Sequence, residues 1–562
     1  MTRWRWIFAV LVAITVSHVA AAGASTVYVS AWNDQKIDEF TVGSGGALSA
    51  LGSVDAGDSQ PWYMAMTSDA RNLYLTTFSG RDLEAFDVGA NGALTPKDAA
   101  HGGALPTGTE PVDVAVSPDD RNAYVANYQS ASVSIYDIAP DGSISAHAPD
   151  QTPAGQGPYG VAVARDGKSV YVANSGGLGT ISQYDRAADG SLTPKVPAVV
   201  SLNMLSSNPG PDYLVLTPDG RHLYSANYND SSIGVFDVAA DGTLTEQSGS
   251  PVASGYGLYE IAMSPDGRSL YAPSNADGMV YQYDVAAGGA LTAKATHSVS
   301  AGTSLGGLWP SPDGRSAYVV DSGTFVSPTS NTNYDLAQFD IDGAGSLVPK
   351  SPATLPTDNY PAAAIVSPDQ GPTASFAVAS GAGLAVSFDA TASSDPDGTV
   401  LRYLWDFGDG TAALDGGPKP THTYASAGAY TVSLTVSDDA GCSTVRTYTG
   451  HTALCNGGPA ASTTRVANPG SAGPPATPPA TPSLHPVACV ANQLILTDVF
   501  PQARRTRVLG VAPPAARGKA VTIVSTWNGK RVAKATVGPD LSFTATAPLP
   551  PRGLRLTNRA RY

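Results

Sequence analysis

The chain has 562 residues with only three Cys, but 59 Gly and 44 Pro, and its formal net charge is -15 at pH 7. Charged residues make up 14%, against the roughly 25% of ordinary soluble domains, and hydrophobic residues at 42% can fill real cores. Collagen, coiled coil, wholesale disorder and a disulfide-dense mini-scaffold are therefore excluded, and the acidic balance argues against nucleic acid as a partner.

The chain opens with Arg3 and Arg5, an apolar run from Trp6 to Val16, and the small residues Ala20, Ala21 and Ala22. This is the pattern of a secretory signal peptide over 1–22, and the run falls short of the ~20 apolar residues that span a bilayer. An uncleaved anchor is the alternative. The expected location is extracellular, secreted or cell-surface, with no transmembrane segment after cleavage.

A repeat follows. Turns carrying an aspartate recur at Asp69, Asp119, Asp166, Asp219, Asp266, Asp313 and Asp369, most of them in the phrase Ser-Pro-Asp or Thr-Pro-Asp. After each of the first six a tyrosine comes five residues later (Tyr74, Tyr124, Tyr171, Tyr224, Tyr271, Tyr318) and opens an alternating strand. A third landmark, an aromatic with Asp and then a small turn, recurs as in Tyr136-Asp137 and Phe236-Asp237. Each unit reads as four short strands, and such a sheet buries both faces only between like neighbours. The last turn, at Asp369, lacks its tyrosine strand, whereas Val27-Tyr28-Val29-Ser30 lacks its preceding turn. One blade assembled from both ends closes a ring of seven over 26–369, expected to be monomeric.

The phrase Ser264-Pro265-Asp266-Gly267-Arg268-Ser269-Leu270-Tyr271 and strands such as Tyr124-Val125-Ala126-Asn127 resemble the seven-bladed lactonase-like and YVTN-repeat propeller families. That resemblance implies an Arg-His pair seven and six residues before a turn aspartate, as base and as cation for a developing oxyanion. The corresponding pairs here are Trp62-Tyr63, Val112-Asp113, Tyr159-Gly160, Asp212-Tyr213, Tyr259-Glu260, Gly306-Gly307 and Ala362-Ala363, so no blade carries it. His101, His147, His222 and His297 lie elsewhere, His222 inside a hairpin turn. No catalytic residue, metal ligand or cofactor is assigned. The same positions are expected at the channel mouth, where Trp62, Tyr63, Asp113, Tyr159, Asp212, Tyr213, Tyr259 and Glu260 either bind a sugar, a cationic group or a divalent ion, or pack the loops around the channel.

From Pro372 to about Val445 a strand alternates at Tyr430, Val432, Leu434 and Val436, as in a separate β-sandwich. Asp395-Pro396-Asp397-Gly398, Trp405-Asp406-Phe407-Gly408-Asp409-Gly410 and His422-Thr423-Tyr424 resemble the PKD family of Ig-like domains, placed at 370–450. The resemblance implies an extracellular spacer or weak binding unit, with Trp405 as core anchor. Asp395, Asp397, Asp406 and Asp409 either form turns or hold calcium. Cys442 and Cys455 are expected to form a disulfide, leaving Cys489. Residues 459–485, rich in proline, read as a semi-rigid linker. The segment 486–562 has twelve Lys or Arg against Asp498 and Asp540, net +10, which leaves -25 for the rest. It reads as a small basic β-module with a hairpin at 521–533.

The fold class is therefore all-β: a seven-bladed β-propeller plus an Ig-like sandwich and a small C-terminal β-module. Three functions compete: a non-catalytic binding or scaffold protein, a lactonase-type hydrolase of the 6-phosphogluconolactonase kind with a non-standard site, and a structural matrix component. Carbohydrate or an anionic cell-wall polymer is the expected partner.

Overall fold

Each repeat folds as four antiparallel strands, the first lining a central channel. A computed structural model of the protein describes residues 25–470, apart from 44, 58–59, 98–102, 204–209, 324–333, 381–382 and 414, and strands between 495 and 561. The signal-peptide reading, His101 and Cys489 fall outside these residues. The channel strands are Pro61–Met66, Pro111–Val116, Pro158–Val163, Pro211–Leu216, Ala262–Met263, Leu305–Pro310 and Pro361–Val366. They belong to blades 1 to 7 in that order. Blade 7 is the split one, since Pro361–Val366 pairs antiparallel with Thr26–Ala31, with Val27 opposite Val366.

The tyrosine of the repeat explains its own recurrence. Each ring is buried between two sheets, and its hydroxyl donates to a glycine carbonyl in the outer hairpin of the next blade. The links are Tyr28 to Gly92 at 2.7 Å, Tyr74 to Gly142 at 2.9 Å, Tyr124 to Gly190 at 2.8 Å and Tyr171 to Gly242 at 2.7 Å. They continue from Tyr224 to Gly289 at 2.7 Å and from Tyr271 to Gly345 at 2.8 Å, and Tyr318 to Gly46 at 2.9 Å completes the circuit. Those seven glycines have φ between 73° and 99°. A side chain there would strain the turn and meet the neighbouring blade. The turn aspartate is local: Ser117 and Ser264 donate to Asp119 and Asp266 at 2.6 Å, closing the loop before the tyrosine strand. His222 opens the strand His222–Asn227 and pairs with Asp237 at 3.0 Å, so it belongs to a strand end and not to the turn.

The sandwich sets Ala377–Ser380, Ala385–Asp389 and Thr421–Thr423 against Ala412–Ala413, Val400–Asp406, Tyr430–Asp438 and Ser462–Ala467. Trp405 is fully buried among Phe376, Phe388 and Phe407, with its indole N–H on Gly417 O at 3.0 Å. The linker reading of 459–485 needs correcting at its start. Ser462–Ala467 is an edge strand paired to Tyr430–Thr435, because β-branched Thr463, Thr464 and Val466 suit a pleated edge despite the surrounding Pro and Ala. The sandwich is not separate from the propeller either. Asp369–Gln370 runs parallel to Ala453–Asn456, and both belong to one compact unit, residues 19–473.

The C-terminal residues form a second unit. Within it Ile495–Gln502, Arg505–Val511 and Ser542–Pro548 make one sheet. Ala520–Ser525, Arg531–Thr536 and Asn558–Arg561 make another, with Thr522 opposite Lys534 in the hairpin. Among the described residues no helix is long and apolar enough to cross a membrane.

Candidate functional site: the propeller channel

The eight residues singled out from the sequence meet around the channel in two layers. Asp113, Glu260, Tyr63 and Tyr213 are 1%, 1%, 6% and 5% exposed, so they fill the channel instead of lining an open mouth, and Asp212, at 3%, is buried one position nearer the end where the channel strands begin. Trp62, Tyr159 and Tyr259 are half-buried and sit nearer the end where the channel strands begin. Other aromatics join them there. Trp32 lies 4.5 Å from Trp62 between ring centroids, Tyr128 lies 6.1 Å from Tyr159, and Tyr228 lies 4.4 Å from Tyr259. These partners were legible: Trp32, Phe78, Tyr128 and Tyr228 each follow the second strand of a blade, one residue beyond its end.

The deeper layer is completed by a histidine the channel strands do not carry. The segment Thr447–Ala453 of the sandwich enters the channel from the end with the Ser-Pro-Asp turns. Four consecutive blades grip it: Val116, Val163 and Leu216 N–H donate to the carbonyls of His451, Gly450 and Thr449 at 2.9, 2.8 and 2.8 Å, and Met66 N–H donates to Thr452 Oγ1 at 3.0 Å. Tyr448 is buried and donates to Val116 O at 2.6 Å. Gly450 has φ 131°, and a Cβ there would stand 3.1 Å from Ala162 Cβ, so the approach needs glycine. The Cys442–Cys455 disulfide closes the loop that carries this segment. His451 then reaches Asp113, with Nε2 2.9 Å from Oδ2, and stacks on Tyr213 at 4.4 Å and 9°. Asp113 also accepts from Val114 N and Val161 N at 2.8 Å each.

Beside this pair the Glu260 carboxyl is pushed well above its ordinary range, first by burial and then by the charge of Asp113. Its Oε2 has no hydrogen-bond partner. Gly307 makes room for it, since a Cβ there would lie 2.1 Å from that oxygen. The cavity bounded by Tyr213, Glu260 and His451 holds about 50 Å³, space for one or two waters and not for a sugar-sized molecule. Burial also raises Asp212 to about 7, opposed by Ser175.

A second polar cluster stands where the propeller chain passes into the sandwich. Asp369 Oδ2, both oxygens of Asp395, Asp397 Oδ1 and Asp438 Oδ2 are buried without a hydrogen-bond partner. Burial and mutual repulsion raise Asp369 to about 9 and Asp395 to about 7, and burial is the main cause raising Asp397 and Asp438 to about 6. Orphaned carboxylate oxygens are the donor type that a hard divalent cation such as calcium takes, but among the described residues these four carboxylates do not bring three ligand atoms within 4.8 Å of one another. Asp406 and Asp409 are not part of the set: they accept from Gly408 N at 2.9 Å and Thr411 N at 3.1 Å, and Asp409 pairs with His422. The turn reading therefore fits Asp406 and Asp409. The sulfurs of Cys442 and Cys455 also approach Asp369, but as a disulfide they offer no thiolate.

The sequence model of a family described as lactonase, 7-bladed β-propeller matches residues 26–160 and 148–371, and that of the PKD domain matches 369–452. A putative 6-phosphogluconolactonase from Bacteroides fragilis superposes with a TM-score of 0.52 at 21% identity, covering 61% of this chain and 98% of its own. One from Bacteroides uniformis gives 0.51 at 17% identity, covering 61% and 99%. Likenesses at that identity are likenesses of fold. A microbial collagenase of Vibrio alginolyticus is 43% identical over 67 residues, 12% of this chain and 8% of its own. The pre-pro-metalloprotease PrtV of Vibrio cholerae is 51% identical over 49 residues, 9% and 5%. The chain thus spans less than a tenth of the length of these curated relatives.

Proposed function

Starting from the chain's membership of the seven-bladed lactonase β-propeller family, we propose that this protein is an exported, non-catalytic binding protein. The propeller is its recognition platform. The observation that carries the reading is the filled channel: where the family resemblance implies an Arg-His pair, the histidine present comes from the sandwich and is locked in a 2.9 Å pair with Asp113. The cavity bounded by His451, Tyr213 and Glu260 has room for water alone. In addition, none of the seven channel strands carries Lys or Arg, so no channel cation stands ready for the phosphate of a phosphorylated substrate.

On this reading the signal-like first 22 residues direct export, and the basic segment 486–562 meets an anionic cell-wall polymer. The hydrolase alternative draws on the names of the fold neighbours. Two experiments separate the readings. The purified chain is assayed on a panel of phosphorylated and unphosphorylated lactones, and turnover abolished by Asp113→Asn would overturn the non-catalytic reading. A glycan array and a cell-wall pull-down are then run with and without 486–562, and the expected result is binding by the full chain that weakens on truncation. No binding by either form removes the reading.

A further inference from the structure

The upper end of the channel, where its strands begin, has a composition of its own. Tyr159 from blade 3 and Tyr259 on the lead into blade 5 are half-buried. Each is backed by a second ring, Tyr128 at 6.1 Å and Tyr228 at 4.4 Å. The Asp212 carboxyl is an electrostatic neighbour of both hydroxyls. It is 3% exposed, and its Oδ1 has no hydrogen-bond partner. The surrounding loops carry Asp34, Glu110, Asp277, Asp335 and Asp358, against Lys36 and Arg81. Lys36 is already 3.7 Å from Asp358. Aromatic faces around an uncompensated carboxylate, inside an acidic rim, are the environment that stabilises an organic cation.

We propose that this end of the channel binds an organic ammonium group, held by cation–π contact with Tyr159 and Tyr259 and with the carboxylate of Asp212 as its counter-charge. The inference rests on the reading of the propeller as a recognition platform, and it names the ligand class. A neutral sugar would use the same rings but would leave the buried carboxylate without a counter-ion. An anion would be repelled by it.

The groups facing Asp212 are the Tyr159 and Tyr259 hydroxyls and the neutral Ser175, and it has no ion pair among the described residues. A cation favours the ionised carboxylate, so a proton competes with it. Binding then strengthens as pH rises through about 7. Between pH 6 and pH 8 the ionised fraction changes by about tenfold, which sets the largest change in affinity.

The test is calorimetric titration of the full chain with choline, its neutral isostere 3,3-dimethylbutan-1-ol, glucose and N-acetylglucosamine. The expected result is choline binding at least tenfold tighter than the isostere, and strengthening up to about tenfold from pH 6 to pH 8. Asp212→Asn is expected to weaken choline binding and remove its pH dependence. Tyr259→Leu, at a half-buried position, is expected to weaken it with the fold intact by circular dichroism. Isostere or sugar binding as tightly as choline overturns the ammonium inference and leaves the recognition reading standing. Silence from all four probes beside a positive glycan array does the same, and silence in both experiments overturns both.

Discussion

His451→Ala is the substitution most directly tied to the union of sandwich and propeller. It removes the imidazole 2.9 Å from Asp113 Oδ2 and leaves a 1%-exposed carboxylate holding only the Val114 and Val161 amides. Removing the partner of a buried carboxylate costs up to about 3–5 kcal/mol. The two remaining donors soften that to about 2–3 kcal/mol, on the scale of hydrogen bonds to charged groups. Loss of the Tyr213 stack at 4.4 Å adds about 1 kcal/mol. The sum is about 3–4 kcal/mol. The unfolding entropy of a unit spanning residues 19–473, at about 2.1 cal/mol/K per residue, makes each kcal/mol worth about 1 °C. The melting temperature should therefore fall by about 3–4 °C in scanning calorimetry. Asp113→Asn removes the charge, so His451→Ala in that background should cost at least 1 kcal/mol less. An equal cost in both backgrounds would refute the pairing as a source of stability.

Three further outcomes follow from the geometry. Millimolar calcium should raise the melting temperature of the full chain, and Asp438→Asn, which removes a charge from the cluster, should reduce that rise. Without added cation, Asp369, Asp395, Asp397 and Asp438 have folded-state values of about 9, 7, 6 and 6, above the ordinary 3.8, so the folded state binds more protons than the unfolded. Their contribution to stability falls as pH rises from about 4 to about 9, and calorimetry across that range should show the fall flattened by calcium. Tyr171→Phe should cost about 1 kcal/mol in denaturant unfolding for its lost bond to Gly242 O. Gly242→Ala, at φ 79° and with a Cβ placed 2.1 Å from Ser169 Oγ, should cost more.

The propeller was legible because its signals are periodic. The tyrosine five residues after each of the first six turn aspartates has a physical cause, the hydroxyl link to the next blade, and with Tyr28 that link repeats seven times. The split blade was legible for the same reason, as a turn without a strand matched a strand without a turn. The channel positions were legible as positions, since Trp62, Tyr159, Asp212 and Tyr259 hold one equivalent place in their blades and Tyr63, Asp113, Tyr213 and Glu260 hold the next. Their depth was not, because burial of Asp113 and Glu260 depends on what fills the channel from the other end. That filler, Thr447–Ala453, has no periodicity and lies some 80 residues beyond the propeller. The acidic cluster was half legible: Asp395 and Asp397 stand in one phrase, but Asp369 and Asp438 join them only through folding.

The two ends of the channel differ because seven equivalent positions are filled unequally. Gly306, Gly307, Ala362 and Ala363, on blades 6 and 7, leave the space that larger side chains from the other blades occupy. A Cβ on Gly307 would meet both Glu260 Oε2 and the Trp309 ring at 2.1 and 2.3 Å. Seven bulky residues could not share the axis, and seven small ones would leave an empty bore. The mixture gives a packed floor on which the sandwich segment is seated, with His451 against the one channel carboxylate that holds three donors. At the upper end that packing leaves Tyr159, Tyr259 and the uncompensated Asp212. Anchoring the sandwich and presenting an aromatic, acidic face are thus consequences of one steric asymmetry in an otherwise regular ring.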